Sequence, residues 1–513
     1  MNVYELISFI AYFVLVLAVG VYFFFKGKGK SGEKEYFLGD RQMSGLIAAF
    51  SAGASDMSAW VLMGLPGAIF LYGLGQVWIS VGLLIGTICA WLFVAPKLRR
   101  FAIKANDSIT IPEFLSNRFK AKSPVLRISC AVIFVIAYCV YTASSLAACG
   151  DLFNMVLGID KELAMIIAAA IICVYTLLGG FKAVCWTDFF QGMIMLAAIM
   201  LVPIVALFML NGSGPLGAVV TPDNYYNLLS SGKFDWPSIA NIITGLGWGL
   251  GYFGMPHILV RYMSIKSEKE MKKSQIIGIV WIAIILGMST IVGLLGHSFL
   301  GSSLASEDKN LVFVKMVRSI FGYGAVALIG GLLLSAIVAA AMSTADSQLL
   351  ASSSAFSSDI YKTAIRKNAS DKEILWVGRI TVGAIVVIAL LIALFVSSDI
   401  MGLVSAAWSI FGAAFGPVIL LSLFWKRFNY KGAVVSIIVG FVVSVLWMVL
   451  FNFEYYNFTS VIYNTGLYEI VPGFVLGLIS AVAVSLFTKA PSKEIQDLYD
   501  SVKKVPDEEQ AKA

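Results

Sequence analysis

The sequence predicts an all-α protein that crosses a lipid bilayer about thirteen times. Three observations carry that expectation. Of the 513 residues, 59% are apolar and 13% are charged, when soluble domains are roughly 25% charged. The mean hydropathy is +0.87, and apolar runs of about 20 residues, the length that spans hydrocarbon, recur along the chain. The positive residues also alternate. Of the 37 Lys and Arg residues, 32 fall in 26–42, 97–127, 181–184, 258–273, 356–379, 426–431 and the tail from 489. Only Lys161, Lys233, Lys309, Lys315 and Arg318 lie on the other side. That asymmetry is the positive-inside signature, so the net charge of +7 sets topology and does not mark a polyanion site. A soluble enzyme, a disordered chain and a nucleic-acid binder are excluded, because so apolar a surface would aggregate in water.

The spans are expected near 4–25, 43–72, 77–98, 126–157, 162–180, 185–211, 238–257, 274–300, 323–355, 375–397, 402–425, 432–453 and 466–488. The first run, Val3 to Phe25, has no basic n-region or cleavage site and is followed by Lys26, Lys28 and Lys30. It reads as an uncleaved helix that starts outside the cell. An odd number of crossings then places the Lys-rich tail inside. Residues 212–237 and the amphipathic piece near 310–320 read as caps on the outer side. The polar tail beyond Pro491 is expected to be mobile. The division that follows is 1–42 (first helix and inner loop), 43–211 and 212–425 (two five-helix halves), 426–490 (two further helices) and 491–513 (cytoplasmic tail). The six cysteines lie in or beside apolar spans without CxxC spacing, as small buried hydrophobes do.

Two spans are chemically unusual. The second carries Ser51-Ala-Gly-Ala-Ser-Asp-Met-Ser58 near its middle, then Gly64, Pro66 and Gly67; the seventh carries Gly245, Gly247, Gly249, Gly251 and Gly254, then Pro256. Such residues lower helix propensity and free backbone carbonyls. In a bilayer, breaks persist only where protein or a wet cavity satisfies those groups. Each broken span is the first of its five-helix half, a matched placement that points to a transporter binding site. Close packing through small residues is the competing explanation for either span alone.

Three acids fall within spans: Asp56, Asp188 and Asp346. A lone carboxylate at the bilayer centre costs about 2.5–3.5 kcal/mol, so each needs a partner. Asp188 is placed near the inner water boundary, where solvation would suffice, whereas Asp56 is too central for that. On the ninth span Ala340, Ser343 and Thr344 share one helical face. A carbonyl and two hydroxyls are hard oxygen donors for a small cation, which carbonyls of a broken helix opposite could complete. Alternatively, both hydroxyls return to carbonyls one turn back. Gly249-Leu-Gly251-Tyr-Phe-Gly254 matches GxGxxG but follows no expected strand, and Gly29-Lys30-Ser31 lacks the Gly a phosphate loop needs. With only His257 and His297, and no nucleophile–base pairing, no enzyme is expected.

The segments Ser51 to Ser58, Gly247-Trp-Gly-Leu-Gly-Tyr-Phe-Gly254, Ala341-Met-Ser-Thr344, Phe411-Gly-Ala-Ala-Phe-Gly-Pro417 and Gly466-Leu-Tyr-Glu-Ile470 closely resemble the sodium/solute symporter family. The resemblance runs through essentially the whole chain, and the Gly-Trp-Gly-Leu-Gly-Tyr segment favours the proline branch. It implies a LeuT-like core of two inverted five-helix repeats, with one extra N-terminal and two extra C-terminal helices. It implies a sodium site of the Ala54, Met57 and Ala340 carbonyls with the Ser343 and Thr344 hydroxyls. Asp56 resembles the family's coupling carboxylate and Asp188 the acid lining the sodium exit. For proline the resemblance points to Ser58, Trp60, Tyr141, Trp248, Tyr252 and Pro256; without it, the aromatics would be taken for belt or core residues. Free amides near Ser58 suit a carboxylate, and aromatic walls suit a pyrrolidine ring.

Two positions depart from the resemblance: Ala59 stands where Gly is expected, and Asp346 where the proline branch has a neutral residue. Resemblance to sialic acid relatives, which place a second sodium between the span-six acid and hydroxyls at these positions, implies that Asp188, Ser343, Asp346 and Ser347 could form such a site; a basic partner or inner water is the rival explanation. The expected activity is sodium-coupled uptake of L-proline by alternating access, in the bacterial cytoplasmic membrane with the N-terminus outside. The expected partners are L-proline, sodium and the lipid bilayer, with no nucleic acid and no obligate protein partner. A symporter of another small solute (sialic acid, pantothenate, another amino acid) is the alternative, and a sodium channel or solute sensor on the same fold a weaker one. No tandem filter motif supports a channel.

Overall fold

The computed structural model describes residues 3–26, 32–396, 400–452 and 465–502. Among them there is no β-strand, as the hydropathy pattern requires. Helix α1 (Val3–Lys26) leads through short α2 (Glu33–Leu38) into α3 (Gly45–Asp56) and α4 (Gly64–Tyr72). Helices α5 (Val77–Cys89) and α6 (Ala95–Lys104) are joined by a π turn, and α7 (Ile111–Arg118) lies in the connection to α8 (Val125–Leu157). Helix α9 (Lys161–Ser213) is followed by α10 (Trp236–Gly247), α11 (Pro256–Ser264) and α12 (Glu268–Leu300). Short α13 (Val312–Phe321) precedes α14 (Ala327–Ser354), α15 (Asp371–Phe395), α16 (Ile400–Phe424), α17 (Tyr430–Phe451), α18 (Ile470–Phe487) and α19 (Lys493–Ser501).

Both expected breaks are present. Helices α3 and α4 are bent by 73° at Met57–Met63. Between α10 and α11 the chain tightens into a 3-10 segment, Trp248–Phe253. Among the described residues ten helices are long and apolar enough to cross a membrane, with the bent α3–α4 pair as an eleventh. The expected thirteen spans also include 162–180, on the first arm of α9, and 238–257, on the broken α10–α11 pair, neither of which is in that set. Burial sorts the helices: the most apolar stretches of α14 and α16 are 72% and 83% buried, those of α1 and α17 only 33% and 22%. Helix α14 is therefore the central post, packed against α1, α3, α8, α9 and α15.

The basic end is tied by polar contacts. Met43 N–H donates to the Ser264 carbonyl at 3.1 Å and Lys266 N–H to the Met43 carbonyl at 3.1 Å, which joins the start of α3 to the end of α11. Lys34 and Arg41 both bind Asp107, the latter at 2.8 Å. Burial alone would raise the Asp107 carboxyl, but hydrogen bonds from Lys34 and Arg41 hold it below the usual carboxylate range. That contribution to stability is present at neutral pH and lost as pH falls through the lowered value.

Three expectations need correction. The seventh span does not end at 257 with a solvated loop from 258: α11 continues to Ser264, and Arg261 is only 2% exposed. The tail is not wholly mobile, because α19 docks Tyr499 against Phe101 with ring centres 6.1 Å apart. Asp188 is not solvated; it is fully buried. Lys28, Lys30, the Gly29-Lys30-Ser31 match and the last residues of the tail lie outside the described residues.

Helix α9 is two helices meeting at Gly180, whose φ of 64° and ψ of 179° are essentially glycine-only. A Cβ there would come within 3.0 Å of the Tyr36 ring. Gly180→Ala should therefore cost about 1–3 kcal/mol, read as a lower thermal midpoint of the purified protein; an unchanged midpoint would contradict this account of the bend.

Candidate functional site

Helix α3 stops at the middle of the bundle because Gly53, Ser55 and the following Met57-Ser58 give its last turn little reason to continue. Met57 leaves helical geometry at φ −81° and ψ 72°, and Ser58 restarts the chain by accepting the Trp60 amide on its side chain. The exposed end faces α14. There the Ser343 hydroxyl donates to the Ala54 carbonyl at 2.8 Å and lies 3.2 Å from the Ala340 carbonyl. Thr344 is fully buried, and its Oγ1 has no hydrogen-bond partner among the described residues. A buried hydroxyl without a partner, beside a hydroxyl already between two carbonyls, is poor packing for a protein core. It suits a small monovalent cation, which takes several hard oxygens at once. Ser343 thus touches the Ala54 and Ala340 carbonyls, with Thr344 the next residue along α14 and Met57 at the break itself.

The second break lies alongside. The Tyr252 hydroxyl donates to Asp56 Oδ2, and the Trp60 indole N–H reaches the Asp56 carbonyl at 3.4 Å. Asp56 is 1% exposed and its Oδ1 has no partner among the described residues. Trp60 and Trp248 face one another at 6.2 Å between ring centres, and Trp248 stacks on Tyr468 at 5.0 Å. Tyr141 is fully buried on α8, edge-on to His257. Pro256 opens α11, where its missing N–H is no loss. The structure therefore brings Asp56, Ser58, Trp60, Trp248 and Tyr252 into one aromatic-walled centre. Away from the basic end, Trp248 also lines a cavity of about 340 Å³ with Gly64, Tyr72, Trp78, Asn241 and Tyr468.

Several residues of this centre escaped sequence reasoning. Trp408 on α16 donates its indole N–H to the Trp248 carbonyl at 2.8 Å and meets the Tyr252 ring edge-on. A Cβ on Gly251 would overlap the Trp408 indole, so the 3-10 segment can approach α16 only as glycine. Arg261 was the larger omission. Its Nη2 pairs with Asp188 Oδ2 at 3.1 Å, its Nε donates to Ser51 Oγ at 2.8 Å and its Nη1 to the His257 carbonyl at 2.7 Å. Asp346 accepts from the Tyr175 hydroxyl and faces Ser347 Oγ at 3.1 Å. Asp188 and Ser347 meet at the Arg261 guanidinium, and Asp346 adjoins Ser347. Arg261 follows an apolar stretch and precedes a run of lysines, so it reads as the first charge of a loop.

Tyr252→Phe keeps the ring against Trp408 and removes the hydroxyl from Asp56. A buried carboxylate losing its donor should destabilise the protein by about 1–3 kcal/mol or more, measured by thermal unfolding; Tyr252→Phe melting with the parent would contradict the assigned bond.

The sequence pattern of the sodium:solute symporter family matches residues 36–440. The chain is 41% identical over 509 residues to the osmoregulated proline transporter OpuE of Bacillus subtilis, covering 98% of this chain and 99% of that one. It is 42% identical over 485 residues to the high-affinity proline transporter PutP of the same organism, covering 93% and 97%. Among solved structures it resembles a Na+-coupled sialic acid symporter in a substrate-bound outward-open state, with a TM-score of 0.77 at 21% identity over 96% of this chain and 99% of that one. That likeness concerns the fold.

Proposed function

Since this chain belongs to the sodium:solute symporter family, we propose that it is a secondary active transporter coupling inward sodium movement to uptake of L-proline by alternating access. The family is one of transporters, not enzymes, and sodium is cargo here. The observation that carries the reading is the Ser343 hydroxyl at the broken end of α3, with the partnerless buried hydroxyl of Thr344 beside it in the chain, next to a second broken helix. The Ala54, Met57 and Ala340 carbonyls with Ser343 and Thr344 would hold sodium. Ser58, Trp60, Tyr141, Trp248, Tyr252 and Pro256 would surround the amino acid, with the backbone of the α3–α4 break at Ser58 toward its carboxylate. Asp56 touches Tyr252 and sits in the break itself, so it is placed to couple the two guests. Asp188 lies toward the basic end from the sodium cradle and would line its exit.

Because basic residues cluster at one end, that end is taken as cytoplasmic, with the N-terminus outside and the chain in the bacterial inner membrane. The cavity bounded by Trp248 then opens outward. The halves 43–211 and 212–425 are proposed as inverted repeats, each opening on its broken helix. Binding sodium and solute at one break lets each favour the same arrangement of the two helices, which is what coupling requires.

Two experiments test this reading. In proteoliposomes with an inward sodium gradient, proline should accumulate uphill and saturably, and a competition panel of other amino acids, sugars and sialic acid should displace it weakly. Uphill uptake of a different solute would reassign the substrate, and gradient-independent equilibration would fit a channel. Ser343→Ala and Thr344→Ala should each raise the sodium needed for half-maximal uptake by about tenfold, the worth of a hydroxyl contact of about 1.4 kcal/mol. Parental sodium dependence in both variants would overturn the cradle.

A further inference from the structure

Two buried polar groups beside the aromatic-walled centre lack partners. His257 and Tyr141 are both fully buried, and their rings meet edge-on at 6.3 Å between centres. Neither His257 Nε2 nor the Tyr141 hydroxyl has a hydrogen-bond partner among the described residues. One such atom in a protein interior calls for an explanation, and two on touching rings call for a shared one. We propose that His257 determines solute specificity: its Nε2–H, with the Tyr141 hydroxyl, donates to the carboxylate of the bound amino acid. The inference rests on the reading of the two breaks as a sodium-coupled amino-acid site, and adds to it a residue and a requirement that the solute carry a carboxylate.

Tyr138 decides which imidazole nitrogen carries the hydrogen. Its hydroxyl accepts the His257 backbone N–H at 3.0 Å and lies 3.1 Å from Nδ1. A phenol has one hydrogen to give. Nδ1 is the acceptor that the Tyr138 hydroxyl finds among the described residues, so the hydrogen goes there. A neutral imidazole that accepts at Nδ1 carries its own hydrogen on Nε2. The Tyr138 ring is wedged in turn against Phe411, with ring centres 4.5 Å apart, and Arg261 Nη1 holds the His257 carbonyl at 2.7 Å. The Nε2–H donor is therefore oriented before any solute arrives.

Its position suits an anionic group. His257 follows Pro256 in the first turn of α11, where the second broken helix resumes and the helix dipole favours negative charge. Helix α11 packs against α3, and α8, which carries Tyr141, touches the turn Ala59–Val61 that follows Ser58. An N–H and a hydroxyl together serve the two oxygens of a carboxylate. An ammonium could use the hydroxyl alone, and an amide offers a single neutral oxygen, a weaker acceptor than a charged one. A histidine kept only for packing would affect solutes with and without a carboxylate equally, which separates the two roles.

The test uses the full-length protein in detergent with saturating sodium, and compares affinities for L-proline and for prolinamide, which keeps the ring and lacks the carboxylate. His257→Asn leaves an atom near Nδ1 for Tyr138 and none at Nε2, whereas His257→Gln carries an N–H out to that position. His257→Asn should weaken proline by about 10- to 100-fold, the worth of a hydrogen bond to a charged group, and leave prolinamide unchanged. His257→Gln should stay close to the parent. A folded His257→Asn protein that binds proline like the parent, or that loses proline and prolinamide alike, would overturn the proposal. Should His257→Asn fail to fold, NMR of the parent decides, since the chain has only two histidines, His257 and His297. In protein labelled with nitrogen-15 histidine, proline should move the His257 Nε2–H proton downfield and prolinamide should not. A signal indifferent to proline, in protein that binds it, would also overturn the proposal. A parent protein that binds no proline in sodium would instead overturn the reading of the site.

Discussion

A helix that stops halfway across a bilayer leaves backbone groups with no water to bind, and everything at the centre of this protein answers that constraint. Each such group costs several kcal/mol if left alone. The end of α3 is met by the Ser343 hydroxyl at the Ala54 carbonyl, by Ser58 on the Trp60 amide and by the Trp60 indole at the Asp56 carbonyl. These are weak or shared satisfactions. The Trp60 contacts lie at 3.4–3.5 Å, near the limit of a hydrogen bond. On the proposed reading, a cation and a zwitterion would satisfy the same groups more fully, so that the cost of the break would become binding energy for two guests.

Buried charge follows the same logic at a second level. Asp56, Asp188 and Asp346 lie inside the bundle, and each has a named donor: Tyr252, Arg261 with Ser51, and Tyr175. Those donors come from different helices: α10–α11, α3 and the first arm of α9. Any rearrangement that separates these elements must break or re-form charged contacts in a medium of low dielectric, which favours a few discrete arrangements over continuous flexing. The tie between Met43 and Ser264 keeps the basic ends of the two broken helices together in the present arrangement.

Much of this was legible along the chain, and the reason is local. Runs of Gly and Ser inside an apolar span announce a break wherever the bilayer forbids one without cause, so 51–58 and 245–254 stood out. Helical periodicity placed 340, 343 and 344 on one face. What stayed hidden is long-range. Arg261 and Asp188 lie 73 residues apart, and no spacing rule links them; the positive-inside pattern instead absorbed Arg261 into a loop. Trp408 is one of four aromatics in the apolar helix α16, and only the close approach permitted by Gly251 shows its role. The C-terminal helix was missed because a polar stretch gives no sign that Tyr499 will find Phe101 and the Arg118 guanidinium.

The central claim is that sodium and proline stabilise one arrangement of the two broken helices, and thermodynamic reciprocity measures that directly. With the purified protein, proline affinity is determined with and without saturating sodium, and sodium affinity with and without saturating proline. The account predicts that each ligand tightens the other by the same factor, greater than one. A proline affinity indifferent to sodium, in protein that binds both, would contradict it.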